Sequence, residues 1–192
     1  SDILINGATV NPNTSAGFED SALLVDTTRN IQLDRVTVKN SVDATVAAMN
    51  GATLDNSASG VVASTVMVNN GIFENNEGDG LHIYSAGMVT LTSITADAND
   101  VGGVRIDNTF NPSLTATGDK AVTLKGTQEY NYNGNGDGLF VSSRGLITIG
   151  NVFANENAGD GVNLDNSTSV SGQGATLNGT NFFVSNAIGL NI

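Results

Sequence analysis

The sequence contains an internal repeat with an interval of 58 residues, and this repeat limits the folds that are open to the chain. GLHI at 80–83 recurs as GLFV at 138–141, and GVRI at 103–106 recurs as GVNL at 161–164. A repeat of this length indicates a stack of similar units, each of which buries its apolar side chains against its neighbours.

Each unit begins at a small anchor residue that is followed by an apolar, a variable and an apolar residue. The same 58-residue interval before positions 80 and 103 predicts anchors at Ala22 and Thr45, and GLNI at 189–192 supplies a last one. The predicted anchors are therefore 22, 45, 80, 103, 138, 161 and 189, so that units of 23 residues alternate with longer units of 35 and finally 28.

The short units share apolar residues at 1, 3, 9, 11, 14 and 16 positions beyond the anchor. These residues are Leu23, Val25, Ile31, Leu33, Val36 and Val38; Leu81, Ile83, Val89, Leu91, Ile94 and Ala96; and Leu139, Val141, Ile147, Ile149, Val152 and Ala154. A spacing of two places both side chains on one face of a strand, and three strands this short are stable only when successive units pair. The density of Gly and Asn excludes a helical repeat. The pattern predicts a single all-β domain over 1–192, a right-handed parallel β-helix (β-solenoid) of about seven coils with three short strands per coil.

The extra residues of the longer units are expected after the first strand, as surface loops over 56–65 and 108–120. Asn99 and Asn157 lie at the same offset from their anchors, with Lys39 and Asn40 at or beside it. Side-chain amides at equivalent turns can bond from coil to coil, so a ladder of Asn residues is expected there.

GDGL followed by an apolar residue, then by motifs such as GLITI and an Asn-rich turn, resembles the right-handed parallel β-helix repeats of large bacterial secreted and cell-surface proteins. The resemblance spans nearly the whole chain and is clearest over 70–166. It implies an extracellular or cell-surface location. It does not specify a function, because the same architecture carries pectin-degrading enzymes, phage tailspikes, adhesins and structural fibres.

The composition narrows the range of partners. The formal net charge of −12 repels phosphate backbones and anionic lipid headgroups, which disfavours nucleic acid and membrane surfaces. No apolar run approaches the ~18 residues of a membrane-spanning helix, so membrane insertion is not expected. The absence of cysteine excludes a disulfide scaffold and thiol catalysis.

Carboxylates held between glycines are the first candidates for chemistry: Asp79, Asp137 and Asp160. They recur at one offset, so a structural role in a tight turn is favoured. The alternative is a column of oxygen ligands for Ca²⁺, the one cofactor considered, although the glycine-rich nonapeptide of calcium-binding repeats is absent.

His82 is the only histidine, and its position between Leu81 and Ile83 predicts that it points outward to solvent. No serine or cysteine nucleophile motif accompanies it. The signatures of the β-helix polysaccharide enzymes are missing as well, since Arg105-Ile106-Asp107 departs from their Arg-Ile-Lys at its last residue. We therefore expect a protein that is not an enzyme.

Aromatic residues precede several anchors. Stacking within the solenoid or at one of its corners is the favoured interpretation; the alternative is a strip that binds surface carbohydrate. The residues are Phe73, Tyr130, Tyr132, Phe153, Phe182 and Phe183.

The two ends of the sequence complement each other. The residues concerned are Ile3, Ile5, Ala8 and Val10, which repeat the spacing of the second and third strands of a coil, and Leu190 and Ile192, which match a first strand. One chain's C-terminus and another's N-terminus would complete a coil, which predicts a filament formed head to tail by copies of this chain, its principal partner. The alternatives are an excerpt of a large β-helical adhesin and, third, a protein that binds or degrades polysaccharide.

Overall fold

The protein is an all-β parallel solenoid. The computed structural model describes residues 2–10, 21–42, 49–58, 64–110, 120–169 and 172–192, and the described residues contain no helix. This architecture confirms the predicted fold class.

Two long parallel sheets of seven strands each form two sides of the solenoid. Sheet 1 contains, in spatial order, β3 (Ser21–Asp26), β6 (Asn50–Asp55), β9 (Leu81–Tyr84), β11 (Val104–Asn108), β14 (Leu139–Ser143), β17 (Val162–Asp165) and β19 (Leu190–Asn191). Sheet 2 contains β1 (Ile3–Asn6), β4 (Ile31–Asp34), β7 (Val66–Asn69), β10 (Val89–Thr92), β12 (Val122–Lys125), β15 (Ile147–Gly150) and β18 (Ala175–Asn178).

A third side is built from shorter pieces. It contains β2 (Thr9–Val10), β5 (Thr37–Lys39), β8 (Ile72–Glu74), β13 (Gln128–Glu129) and β16 (Val152–Phe153). Thr95 bridges Ile72 and Glu129, and Phe182 bridges Phe153, so this side also has seven segments. The chain visits sheet 1, sheet 2 and the third side in turn, which places one segment of each side in every coil.

The core lies between the three sides. Successive coils pair in register, as in Val89 with Val122 and Leu91 with Leu124, so that apolar residues stack in columns along the axis. Of the eighteen predicted inward positions, seventeen are buried and Leu23 is partly buried against the same core.

The second anchor was predicted wrongly. The strand that pairs with β3 is β6, in which Ala52 and Leu54 face Leu23 and Val25. The anchor is therefore Gly51, and Thr45 lies outside the described residues. A side chain at Gly51 would not fit, because a Cβ there would lie 2.6 Å from Nδ2 of Asn76 and from the carbonyl oxygen of Gly80.

With Gly51 as the second anchor, the extra residues of the coils lie at two different corners. The loops after β6 and β11 follow the first strand as predicted, although 59–63 and 111–119 are outside the described residues. In the first coil, however, the extra residues lie between β5 and β6, after the third strand. The turn between the third strand of one coil and the first strand of the next therefore also accepts extra residues, provided that the anchor glycine keeps its pairing with the neighbouring coil.

Two corners turn sharply through single residues in the left-handed conformation. One column, between sheet 2 and the third side, consists of Gly7, Arg35, Asn70, Ser93, Gly126, Asn151 and Gly179. The other, after the third side, consists of Asn40, Asn75, Ala98, Tyr132, Glu156 and Ser185. Most of these residues are not glycine, so several corners carry a conformational cost of roughly 1 kcal/mol or more.

A buried amide ladder follows the second of these corners. Nδ2 of each member donates to Oδ1 of the next, at 2.8–3.1 Å. Backbone amides of the ladder donate to the same oxygens, at 2.9–3.1 Å. The members are Asn76, Asn99, Asn133, Asn157 and Asn186. The predicted ladder at Asn99 and Asn157 is confirmed.

The first coil departs from the predicted ladder. Asn40 does not occupy the ladder position. Ser41 lies there, and its backbone amide donates to Asn76 Oδ1 at 3.1 Å. Asn40 is instead the left-handed residue just before it, at φ 58°.

Candidate functional site

At the N-terminal end of the solenoid, the outermost strands have a described partner on one side only. β1 pairs with β4, and β2 pairs with β5, on one side only. Of the predicted assembly residues, Ile3, Ile5, Ala8 and Val10 are partly buried and pack against the core.

The outward neighbour of these residues contrasts with them. Leu4 lies between Ile3 and Ile5 on β1 and is 64% exposed. The alternation confirms which side chains of β1 point inward.

At the C-terminal end, β18 and β19 likewise pair with a described strand on one side only. Leu190 pairs with Val162 and packs against the core, while Ile192 beyond it is 70% exposed. Val184 and Ile188, which sequence reasoning did not single out, are also exposed at this end. The structure therefore places the predicted residues at opposite ends of one apolar core, where no described segment covers them.

The Gly-Asp-Gly turns bond between coils. Oδ1 of Asp79 accepts from the backbone amide of Gly102 at 3.0 Å, and Oδ1 of Asp137 accepts from that of Asp160 at 2.7 Å. Asn50 has the same role in the preceding coil, where its Oδ1 accepts from the amide of Asp79 at 2.9 Å. These bonds account for Asp79 and Asp137 as elements of the turn. Among the described residues, no group of three or more His, Asp or Glu side chains has the arrangement of a metal site.

His82 projects from the outer face of sheet 1, as predicted, but it is not solvated. Its side chain is only 12% exposed, its ring stacks on Tyr84 with centroids 4.3 Å apart, and Nδ1 lies 3.4 Å from Oδ2 of Asp79. Burial, followed by the nearby positive charge of Arg105, lowers the pKa of His82 to about 4. The imidazole is therefore neutral at pH 7. Its buried Nε2 has no hydrogen-bond partner among the described residues.

A groove of about 370 Å³ adjoins His82. Its walls include the Tyr84 ring and the carboxylates of Asp26 and Asp55, which face each other across β3 and β6. Thr53 and Ser21 also line the groove, and their hydroxyl oxygens lie 2.5 Å apart.

Sequence reasoning missed this groove. A signal was present, because the fourth residue beyond the anchor is an acid or Tyr84 in five coils. These residues are Asp26, Asp55, Tyr84, Asp107 and Asp165. The error in the second anchor hid Asp55 from this series.

Arg105 and Phe140 also lie on the outer face of sheet 1. The Arg105 guanidinium lies 4.5 Å from the centroid of the Phe140 ring, a cation–π distance. Opposite charges also meet at Lys39 and Glu74 on the third side, where the two side chains are 2.6 Å apart.

The six aromatic residues that precede the anchors lie in different environments. Phe73 and Tyr130 are fully buried in the core, and the Tyr130 hydroxyl donates to Gln128 at 2.7 Å. Phe153 and Phe182 stack on the third side with centroids 5.5 Å apart. Tyr132 is exposed at a left-handed corner. Phe183 is partly buried against the core, so of the six residues three pack in or against the core and one pair stacks on the third side.

No protein-family model, curated protein or solved structure matches this chain. Within the described ranges there is no helix long and apolar enough to cross a membrane.

Proposed function

We propose that this protein is a structural subunit that assembles end to end into a β-solenoid filament. The observation that carries the proposal is the match between its two open ends. Among the described residues, β1, β2 and β3 at one end, and β18, β19 and the Phe182 segment at the other, each pair with a neighbouring coil on one side only.

The order of the strands is compatible with all three sides of the solenoid continuing from one copy of the chain into the next. At one end the outermost strands are β1, β2 and β3, and at the other β18 and β19 flank the Phe182 segment. Stacking sheet 1 on sheet 1 and sheet 2 on sheet 2 would pair β19 with β3 and β18 with β1 of the next copy. Since all strands are parallel, the two ends differ, and the contact would be head to tail and non-closing.

Apolar surface and hydrogen bonding favour the same contact. Ile3 and Ile5 at one end, and Leu177 and Leu190 at the other, are only partly buried in the isolated subunit. A second copy would cover them and would satisfy the strand edges, whose unpaired backbone groups are a template for association. The amide ladder has one direction as well, because each Nδ2 donates toward the C-terminal end.

We also propose an extracellular or cell-surface location and a role without catalysis. The resemblance to secreted β-helix repeats supports the location. The bonding of Asp79 and Asp137 to backbone amides supports the role, because it makes these carboxylates elements of the turns.

Electron microscopy and sedimentation of the purified chain test the proposal. Seven coils at a strand spacing of about 4.8 Å predict filaments with an axial rise of about 34 Å per subunit. A chain that stays monomeric at high concentration would contradict the proposal. It would favour the alternative in which neighbouring coils belong to the same polypeptide of a large adhesin.

Paired variants separate the junction from the general surface. Ile5→Asp and Leu190→Asp should abolish filaments and leave the central coils folded, because each buries an unpaired charge in the junction. Leu4→Asp and Asn191→Asp are the controls, since these residues point outward on the same strands. Circular dichroism checks the fold. Equal loss of filaments in the test and control variants would show that the contact is not strand stacking.

A further inference from the structure

We propose that the outer face of sheet 2 is a second surface of self-association, through which copies of this chain pack side by side. This sheet 2 face consists of the outward side chains of the sheet 2 strands and of the residues directly before them. It runs along the solenoid axis and is separate from the two ends. Bundling of filaments through this face rests on the proposed filament, but contact between two copies does not.

Acidic side chains are nearly absent from the sheet 2 face. On β7, β10, β12, β15 and β18 the outward positions carry a single charge, that of Lys125. Asp34 on β4 pairs with Arg35 at 2.8 Å. Outward acids lie instead on sheet 1, at Asp26, Asp55, Asp107 and Asp165, and on the third side, at Glu74 and Glu129. Because the net charge is −12, two copies repel each other least where they meet through the sheet 2 face.

Large apolar side chains are exposed on the same face. Met67 and Leu146 are each 37% exposed, and Met88 is 43% exposed. Among the described residues from 64 to 169, the one other exposed large apolar residue is Tyr132, at a corner. The positions beside them form a column of threonines, Thr90, Thr123 and Thr148. Exposed apolar residues gathered on one flat face of a soluble protein indicate an interaction surface.

Large and small residues alternate along one edge of the face. Met88, Ala121, Leu146 and Gly174 directly precede successive strands, and the carbonyls of the last three each accept a backbone hydrogen bond from the coil before. A Cβ built at Gly174 would meet no atom within 4 Å, so the space above it is open. Two such columns can interlock, because a large side chain of one copy fits beside a small residue of the other.

The size of the face determines the strength of the contact. Seven strands about 4.8 Å apart, with four residues of about 3.3 Å each, give a face of about 34 Å by about 13 Å, or about 440 Å² per subunit. A stable interface buries about 800 Å² per partner. Two single subunits should therefore associate weakly, whereas two filaments repeat the contact at every subunit and should stay together.

Cross-linking tests the face whatever the state of assembly. The chain contains no cysteine, so an introduced cysteine is a unique probe. With a short bis-maleimide, Thr90→Cys, Thr123→Cys and Thr148→Cys should form covalent dimers about tenfold faster than Phe140→Cys on sheet 1, because packing raises the local concentration of the partner's thiol. A monofunctional maleimide corrects for the reactivity of each thiol. Equal corrected rates for the four variants would overturn the proposal.

Electron microscopy tests the bundles. Filaments of the unchanged chain should lie side by side, and Thr148→Asp should separate them into single filaments, because the new acids of two facing copies repel each other. Phe140→Asp is the control: it adds the same charge in the same coil, beside Arg105 on sheet 1, and should leave the bundles intact. Single filaments of the unchanged chain would overturn the proposal. Absence of any filament would contradict end-to-end assembly alone, and the cross-linking rates would then decide on the face.

Discussion

Replacing Asn133 by Ala should cost far more stability than the same change at Asn131, two residues earlier in the same turn. Asn133 is 1% exposed and belongs to the buried ladder. Asn131 is half-buried in a parallel outer row, where it donates to Asp97 at 3.2 Å and accepts from both nitrogens of Asn155. The two positions share residue type and a similar set of bonds, and they differ in access to water.

The magnitude for Asn133 follows from the groups that the substitution would leave without partners. The backbone amide of Asn99 would lose its acceptor, at 3.1 Å, and the carbonyl of Ala96 would lose the Nδ2 donor, at 3.2 Å. Each buried orphan costs roughly 1–3 kcal/mol, which gives about 2–6 kcal/mol for the variant. Water can replace the bonds of Asn131, so that loss should stay below about 1 kcal/mol.

Urea unfolding followed by circular dichroism measures the difference. The midpoint should fall strongly for Asn133→Ala and little for Asn131→Ala. Similar midpoints for both variants would refute the reasoning, because burial of the ladder would then not determine its contribution. Asn133→Asp offers a second comparison and should be at least as damaging, since it replaces two donors with a buried charge.

Three further outcomes are expected. Gly80→Ala should lower the free energy of unfolding by about 2–4 kcal/mol, because the new Cβ would lie 2.7 Å from Nδ2 of Asn99. Gly174→Ala is the control and should change the free energy by less than about 0.5 kcal/mol, since no atom lies within 4 Å of a Cβ built there. Equal urea midpoints for the two variants would contradict this prediction. Ala98→Gly should raise the free energy of unfolding by about 0.5–1 kcal/mol, because residue 98 has a left-handed φ of 55° that glycine adopts without strain. Ala121→Gly, outside the left-handed corners, should lower the free energy of unfolding. Thermal unfolding midpoints of the two variants measure the difference. The pKa of His82 is about 4 in the folded chain and 6.5 in the unfolded chain, so between these values only the unfolded chain takes up a proton. Lowering the pH from about 6.5 to about 4 should therefore lower the free energy of unfolding, by up to about 1.4 kcal/mol per pH unit. The dependence of the free energy of unfolding on pH should become shallower in His82→Gln, and the difference is the contribution of His82. An unchanged pH dependence in this variant would show that His82 does not cause it.

The sequence predicts the inward positions well because apolar spacing reports directly on which face of a strand is buried. Ile147 and Ile149 flank outward Thr148, and no other arrangement of this segment buries both. The same spacing failed at Thr45 because a small residue followed by valine and alanine satisfies the pattern by chance. What distinguishes Gly51 is the approach of Asn76 and the next glycine's carbonyl, a contact between coils that spacing does not encode.

The ladder was found only in part for a related reason. Asn76, Asn133 and Asn186 follow coils with insertions, so their offset from the preceding anchor varies. Counted back from the following glycine, Asn76, Asn99 and Asn157 lie four residues before it, Asn133 five and Asn186 three, a much narrower range. The ladder residue therefore keeps a nearly constant distance from the glycine that follows it, and its position can be predicted by counting back from that glycine.

The burial of His82 was not predictable from its place on the strand. Alternation shows that the side chain points outward, but the neighbours that cover it, Tyr84 and Asp79, act through a stack and a turn on the outside of the sheet. Outward on a solenoid therefore does not mean solvated.

The bonds between coils all run along the axis, and this has a mechanical consequence. A pull on the two ends would load the coils in series, so that the chain should peel from an end one coil at a time rather than rupture as a block. Each released coil adds a length set by its own loop, and coils with insertions would give longer steps than the coil between Gly80 and Gly103. A force–extension trace of this molecule would therefore read out the order of its coils, as unequal increments of contour length.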